Sequence, residues 1–215
     1  MVKRSSFFKQ IVFVCLFGIT LTSCKPKENL LPNSPGEINL QHFVAIGDGH
    51  TAGYMDDALY LYGQQNSFGS ILQTQLQLVG AGEIYNPLMG NANVGTNSSL
   101  LSKLILGYKT DCLGVTGLSP VRFAQQGEAL TASVYSSQNK FTNFGIPGLK
   151  MIDTYQNYIG DPNDLGYNPY FGRMSMDQFT LPASSGAWST VRDNIFNGGN
   201  PTFCSLFLGI EDVLP

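Results

Sequence analysis

The chain has 215 residues, room for one ordinary domain and barely for two. Hydrophobic side chains make up 43% and charged ones only 13%, about half of the ~25% usual in soluble domains, so a sizeable core is possible and wholesale disorder is excluded. A net charge of −3 gives no electrostatic footprint for nucleic acid, and no apolar run approaches the roughly 20 residues of a membrane-spanning helix.

Lys3, Arg4 and Lys9 form a positive head, and residues 11–21 are apolar apart from Gly18 and Thr20. That pattern is the core of a signal peptide, too short for a span. It ends in Leu21-Thr22-Ser23-Cys24, which resembles the bacterial lipoprotein signal. The resemblance implies cleavage after residue 23 and acylation of Cys24, which would anchor the chain to a lipid membrane in the cell envelope, the outer membrane first of all. An ordinary secretory signal ending by chance at a Cys is the alternative. Removing residues 1–23 leaves nine basic against fifteen acidic side chains, so the remainder would not rely on basic contacts with anionic head groups. Residues 24–40, with Pro26, Pro32, Asn33, Pro35 and Gly36, read as an extended tether, and residues 41–215 as the domain. Of the four cysteines, Cys15 leaves with the signal. Cys112 and Cys204 could pair in an oxidising envelope, but Cys204 sits in an apolar run and reads better as a buried small hydrophobe.

Residues 42–46 read as a short buried strand, stopped by Gly47-Asp48-Gly49. Residues 67–79 carry Phe68, Ile71, Leu72, Leu76 and Val79 at near-helical spacing, which predicts an amphipathic helix. Residues 81–138, rich in Gly, Asn and Ser, read as a long irregular insertion with short elements. A second strand is expected over 140–144, ended by Gly145-Ile146-Pro147-Gly148, then a short helix over 149–159 and a loop over 161–185. A helix is predicted over 187–196, stopped by Asn197-Gly198-Gly199. Residues 202–208 are apolar apart from Ser205, as expected of a strand covered on both faces. Strands alternating with helices predict a layered α/β domain with a parallel sheet.

Three short blocks carry a family resemblance. Phe43-Val44-Ala45-Ile46-Gly47-Asp48-Gly49-His50-Thr51-Ala52-Gly53-Tyr54 resembles the first block of the SGNH (GDSL) hydrolases, a strand followed by Gly-Asp-Ser-Leu-Thr-Ala-Gly. Its continuation, Asp56-Asp57-Ala58-Leu59-Tyr60 with Gln65-Asn66-Ser67-Phe68, is similar to the lipoprotein branch of Bacteroidetes-type bacteria. Asn143-Phe144-Gly145-Ile146-Pro147-Gly148 is similar to the second block, and Phe207-Leu208-Gly209-Ile210-Glu211-Asp212 to the third, Gly-x-Asn-Asp. The resemblance implies a flavodoxin-like three-layer α/β/α fold with parallel strands in the order 2-1-3-4-5. This chain would supply the first three strands and leave an apolar edge on the third. That implies a fragment of a longer product, a decaying gene, or a partner covering the edge.

The family chemistry, as the resemblance implies it, uses a Ser nucleophile in the first block. A His oriented by an Asp two or three residues earlier activates it, and the Ser N–H, the second-block Gly N–H and the third-block Asn form an oxyanion hole. Here Gly49 stands at the nucleophile position and Glu211 at the Asn position, and no His follows His50. An ionised Glu only accepts hydrogen bonds and would repel an oxyanion. Gly148 alone is intact, with Asp48 and Asp212 in support. Losing one oxyanion donor costs about 10²–10³ in rate, and losing nucleophile and base about 10⁶.

Other groupings point less far. Asp48, His50, Glu211 and Asp212 could converge as a metal or acid–base cluster, but the spacing fits no established ligand pattern; more simply, Asp48 bonds its own loop and His50 fills a space. Tyr54, Tyr60, Tyr62 and Trp188 could line a carbohydrate platform or simply pack. Asp161-Pro162-Asn163-Asp164 reads as a turn rather than a calcium loop, and Ser136 and Ser137 have no neighbouring base. The expectation is an envelope lipoprotein of SGNH type, its inherited reaction ester hydrolysis, inactive or incomplete in this chain. The alternative is a binding or scaffold lipoprotein for a glycan or protein partner. Neither calls for a cofactor. Replacing Cys24 (Cys24→Ala) is expected to abolish acyl labelling and membrane retention; unchanged membrane fractionation would refute the lipid anchor.

Overall fold

The computed structural model describes residues 34–83, 85–90, 92–130, 141–154, 159, 163–174 and 201–213. The chain divides into two units, Met1–Asn33 and Ser34–Pro215. The first unit lies wholly outside the described residues, and with it the signal and Cys24; so do Ser136, Ser137, Asp161, Trp188 and the helix expected over 187–196.

In chain order the described elements are strand β1 (Phe43–Gly47), helix α1 (Gly49–Ala52), strands β2 (Tyr54–Met55) and β3 (Ala58–Leu59), helices α2 (Leu61–Gln65) and α3 (Phe68–Gln77), and strands β4 (Leu104–Thr110), β5 (Thr116–Arg122), β6 (Asn143–Gly145) and β7 (Phe203–Phe207). Single 3-10 turns occupy Ile152–Thr154, Phe171–Met174 and Ile210–Asp212. The fold is mixed α/β: a parallel three-stranded sheet with few helices. β1 lies in the middle, flanked by β6 and β7, both parallel to it. Every residue of β1 is buried, as a continuous apolar run in a central parallel strand requires. Register pairs Ile46 with Phe144, and these two with Val44 join a cluster containing Ile146, Leu149, Ile159 and Phe171. On the other face, Ala45 pairs with Asn143 beneath Gly69 of α3.

Two glycines let the chain fold back on this sheet. A Cβ on Gly145 would stand 2.6 Å from the Cα of Ala52, and one on Gly47 would stand 2.5 Å from the carbonyl oxygen of Phe207. Both obstacles are backbone and cannot turn aside. α1 therefore lies directly on β6, and the buried Asn143 staples the contact: its Nδ2 donates to the Thr51 carbonyl (2.9 Å), and its Oδ1 accepts from the Gly145 N–H (2.9 Å).

Several expectations need correction. α3 has its predicted place, opened by Ser67, whose Oγ accepts from the Ser70 N–H at 3.1 Å. Its facing is shifted from the expected one: Gly69, Ser70 and Gln73 are buried, Leu72, Leu76 and Val79 are half-buried, and Phe68 and Ile71 are 45% and 52% exposed. The buried polar stripe is paired. The Ser70 hydroxyl donates to the Gln64 carbonyl (2.6 Å), Gln73 Nε2 to the Glu83 carbonyl (3.1 Å), and the Thr142 hydroxyl to Gln73 Oε1 (3.0 Å). Satisfied polar groups are as welcome in a core as methyls, and hydrophobic periodicity cannot register them.

The insertion over 81–138 contains a regular hairpin, with β4 and β5 antiparallel over seven residues each. Its alternation is obscured because apolar residues occupy both phases of β4. Among the described residues β7 is an edge strand, and its faces are not covered as expected: Phe203 and Leu206 are 37% and 59% exposed, and Cys204 is exposed rather than buried. Phe203 still stacks on Phe43 at 5.8 Å and Phe207 leans on Phe68 at 5.6 Å. Cys112, in the hairpin turn, and Cys204 are both free thiols. The described part of the helix expected over 149–159 is the one turn Ile152–Thr154, where Lys150 N donates to Asp153 Oδ2 (2.8 Å) and closes a local turn.

Gly145→Ala is expected to destabilise the fold by about 1–3 kcal/mol through overpacking against α1, whereas Gly117→Ala, with open space around it, should stay within about 0.5 kcal/mol. Urea midpoints of the two variants measure the difference; equal midpoints would exclude the close approach of α1 to β6.

Candidate functional site

The loops leaving the C-terminal ends of β1, β6 and β7 meet. Asp48 caps α1: its Oδ1 accepts from the His50 N–H at 3.0 Å, its own N–H donates to the Phe207 carbonyl at 3.1 Å, and its carbonyl accepts from the Ala52 N–H at 3.0 Å. These bonds fix Gly49 at the start of the turn. A Cβ placed there would lie 3.1 Å from Glu211 Oε1, 3.3 Å from Tyr54 Cβ and 3.8 Å from Pro147 Cα. The positions that matched the nucleophile and the oxyanion Asn are thus neighbours, and what faces Gly49 is a carboxylate.

Gly148 follows Pro147 at φ +72, in a turn closed by the Leu149 N–H on the Ile146 carbonyl (3.1 Å). That left-handed backbone favours glycine. Asn168 Nδ2 donates to the Pro147 carbonyl at 2.8 Å and ties a second loop to the same turn. Asp212 Oδ2 accepts from the Met151 N–H at 2.9 Å and joins the loop after β7 to the loop after β6.

The four groups considered as a metal or acid–base cluster do not gather into one. Among the described residues no three His, Cys, Asp or Glu side chains come together as a metal site. Asp212 is committed to backbone. Asp48 is fully buried with His50 Nδ1 3.4 Å from its Oδ1, while the His50 side chain is 57% exposed and edges onto Phe207 instead of filling an interior space.

Beside Gly49 opens a cleft of about 580 Å³, lined by Tyr54, Gly148, Asp153, Tyr167, Asn168 and Glu211 among others. Of the aromatic residues singled out in the sequence, Tyr54 lines it, Tyr60 is buried and Tyr62 is exposed elsewhere. Asp164, at the turn expected there, accepts from the Gly166 N–H at 2.9 Å, and Leu165 to Tyr170 form one cleft wall. Ser98 is the serine of the described lining, which holds no histidine.

Sequence reasoning missed the support of Tyr54. Asp56 and Asp57 form the two-residue turn between β2 and β3, both at φ +53, a conformation non-glycine residues adopt at a cost. Side-chain bonds offset it. The Tyr60 hydroxyl donates to Asp56 Oδ2 at 2.5 Å, the Tyr54 hydroxyl to Asp57 Oδ1 at 3.1 Å, Asn97 Nδ2 to Asp57 Oδ2 at 3.1 Å, and Arg122 pairs with the same oxygen. The signal available was the charge pair itself: two adjacent acids in a hairpin need cationic or donor neighbours. Burial would raise the Asp57 carboxyl, but the bonds from Arg122, Tyr54 and Asn97 outweigh it and hold it below the ordinary range. Burial, then Asp57, pushes the Tyr54 hydroxyl well above the ordinary phenol range, so it stays a donor. Tyr170 meets Tyr54 edge to face at 6.0 Å.

Because the folded Asp57 binds its proton more weakly than the unfolded one, its contribution is present above the unfolded value of 3.8 and is lost as pH falls through the lower folded value. Asp57→Asn is therefore expected to lower the melting temperature by about 1–3 °C at pH 7, with the difference vanishing in strong acid. A difference that grows on acidification contradicts this.

No family model, curated protein or solved structure matches the chain.

Proposed function

We propose that this chain is an envelope lipoprotein domain of SGNH-like fold whose cleft no longer hydrolyses esters by the serine route. One observation carries the reading: Gly49, Gly148 and Glu211 stand together at the C-terminal ends of three parallel strands whose order is second–first–third, beside an open cleft. Ligands of open α/β sheets bind outside the carboxyl ends of the strands, which is where this cleft lies. The strand order agrees with the first three strands of a flavodoxin-like sheet, and Gly148 lines the cleft.

The chemistry is nevertheless missing. Gly49 has no nucleophilic atom. The Glu211 carboxylate beside it accepts but cannot donate, so it opposes the charge that a tetrahedral intermediate would place there. His50, held against Asp48 and Phe207, is exposed and belongs to the same short turn as Gly49. A ligand-binding role is favoured by the lining: Tyr54 and Tyr167 supply ring faces, and Asp153, Asn168 and Lys150 supply polar partners, a set suited to a hydroxyl-rich glycan.

The expected result with chromogenic short-chain esters is turnover no faster than background, for the native chain and for Gly49→Ser alike, since a restored hydroxyl would still face the Glu211 carboxylate where an oxyanion needs a donor. Turnover abolished by a serine-directed phosphonate would overturn the proposal. Retention on a glycan array, lost on Tyr54→Ala, is the expected sign of binding without hydrolysis.

A further inference from the structure

Arg173, in the turn Phe171–Met174, is 1% exposed, among the most enclosed side chains of the described residues. Its Nη2 donates to the Pro87 carbonyl, while Nε and Nη1 have no hydrogen-bond partner. Asn86 Nδ2 donates to Ser70 Oγ at 2.9 Å, and its Oδ1 is likewise buried and unpartnered. Both residues line a small cavity beneath the cleft, together with Gly145, Pro147 and Tyr170. About 10 Å³ of it is open to the centre of a water-sized sphere, so the space exceeds a single such sphere while remaining small.

Among the described residues no carboxylate pairs with Arg173. The group that acts on it electrostatically is the Tyr170 hydroxyl, not a carboxylate. Burial pushes the guanidinium down to about 10, still well above neutrality, so it remains a cation. A buried cation without a counter-charge is among the costliest arrangements in a protein interior. Water in the cavity would satisfy N–H groups but leave the charge. Carboxylate and phosphate groups are too large for the space.

We propose that this cavity binds one monatomic anion of chloride size, held by the Nε–H and Nη1–H of Arg173. Asn86 completes the site by turning its amide, so that Nδ2 faces the anion and Oδ1 accepts from the Ser70 hydroxyl, which turns away from the Gln64 carbonyl and leaves it to the Ser67 N–H (3.3 Å). Because Pro147 and Tyr170 line both cavity and cleft, the ion braces the cleft floor. This site is independent of whether the cleft acts on esters.

The test is thermal unfolding of the full chain in sodium chloride, bromide or gluconate at matched ionic strength, with bromide-soaked crystals examined for anomalous scattering. The expected result is a saturable rise of about 5–10 °C when halide exceeds its Kd about 100-fold, absent in gluconate. One anomalous peak should lie beside Arg173. Arg173→Met should remove the halide dependence; if that variant does not fold, the bromide measurement on the native chain decides. Equal melting in halide and gluconate, or a cavity holding water and no bromide, overturns the proposal.

Discussion

The site depends on one steric constraint: α1 has to lie on the ends of β1 and β6 with backbone against backbone. Gly145 makes that approach possible, because a side chain there would collide with the main chain of Thr51 and Ala52, while Gly47 leaves room for the Thr51 side chain and for the Phe207 carbonyl of β7. Asn143 then converts the approach into a fixed distance by bonding Thr51 on one side and Gly145 on the other. From that geometry follow the capping of α1 by Asp48, the placement of Gly49, and the neighbourhood of Gly49, Pro147 and Glu211. A sheet of three parallel strands has little other means of bringing residues so distant in sequence to one point.

The second organising feature is buried polarity. Ser70 and Gln73 of α3, with Asn86, Asn143 and Thr142, form a bonded layer between helix and sheet where a run of leucines would be ordinary. Such a layer specifies one arrangement, since each group left unpaired would cost about 1–3 kcal/mol. It also has a consequence for the surface. With its polar stripe turned inward, α3 leaves Phe68 and Ile71 outward, Phe68 against Phe207 of β7, an edge strand among the described residues. The exposed apolar surface of the sheet edge and that of the helix are therefore continuous through the Phe68–Phe207 contact.

At the cleft, the proposed loss of ester hydrolysis rests on what two adjacent positions can do. A glycine contributes no nucleophile, and a carboxylate facing it adds negative charge where catalysis would require donors. Tyr54, held by Asp57 and packed on Tyr170, keeps a hydroxyl and a ring at the wall, which residues 165–170 continue. The arrangement retains surface for recognition while lacking the atoms for acyl transfer.

The apolar runs ending in Gly47-Asp48-Gly49 and in Gly145-Ile146-Pro147-Gly148, and the run over 202–208, were legible as strands because strand formation and its glycine stops are local properties. The position of α3 was legible for the same reason, with Ser67 as its cap. Its facing was not: Gln73 and Ser70 became interior only because Glu83, Thr142 and Gln64 supply partners from elsewhere. The hairpin β4–β5 escaped notice because its apolar residues do not alternate strictly. The residues at the site positions, Gly49, Gly148 and Glu211, could be named from their order along the chain, but not their separation. By itself the sequence determined where the chain extends, where it turns and which atoms each position can offer. Tertiary structure alone decided that Glu211 faces Gly49, that Tyr54 is braced by Asp57, and that Arg173 is enclosed with no carboxylate paired to it among the described residues, because burial and pairing are properties of contacts between segments that no local pattern encodes.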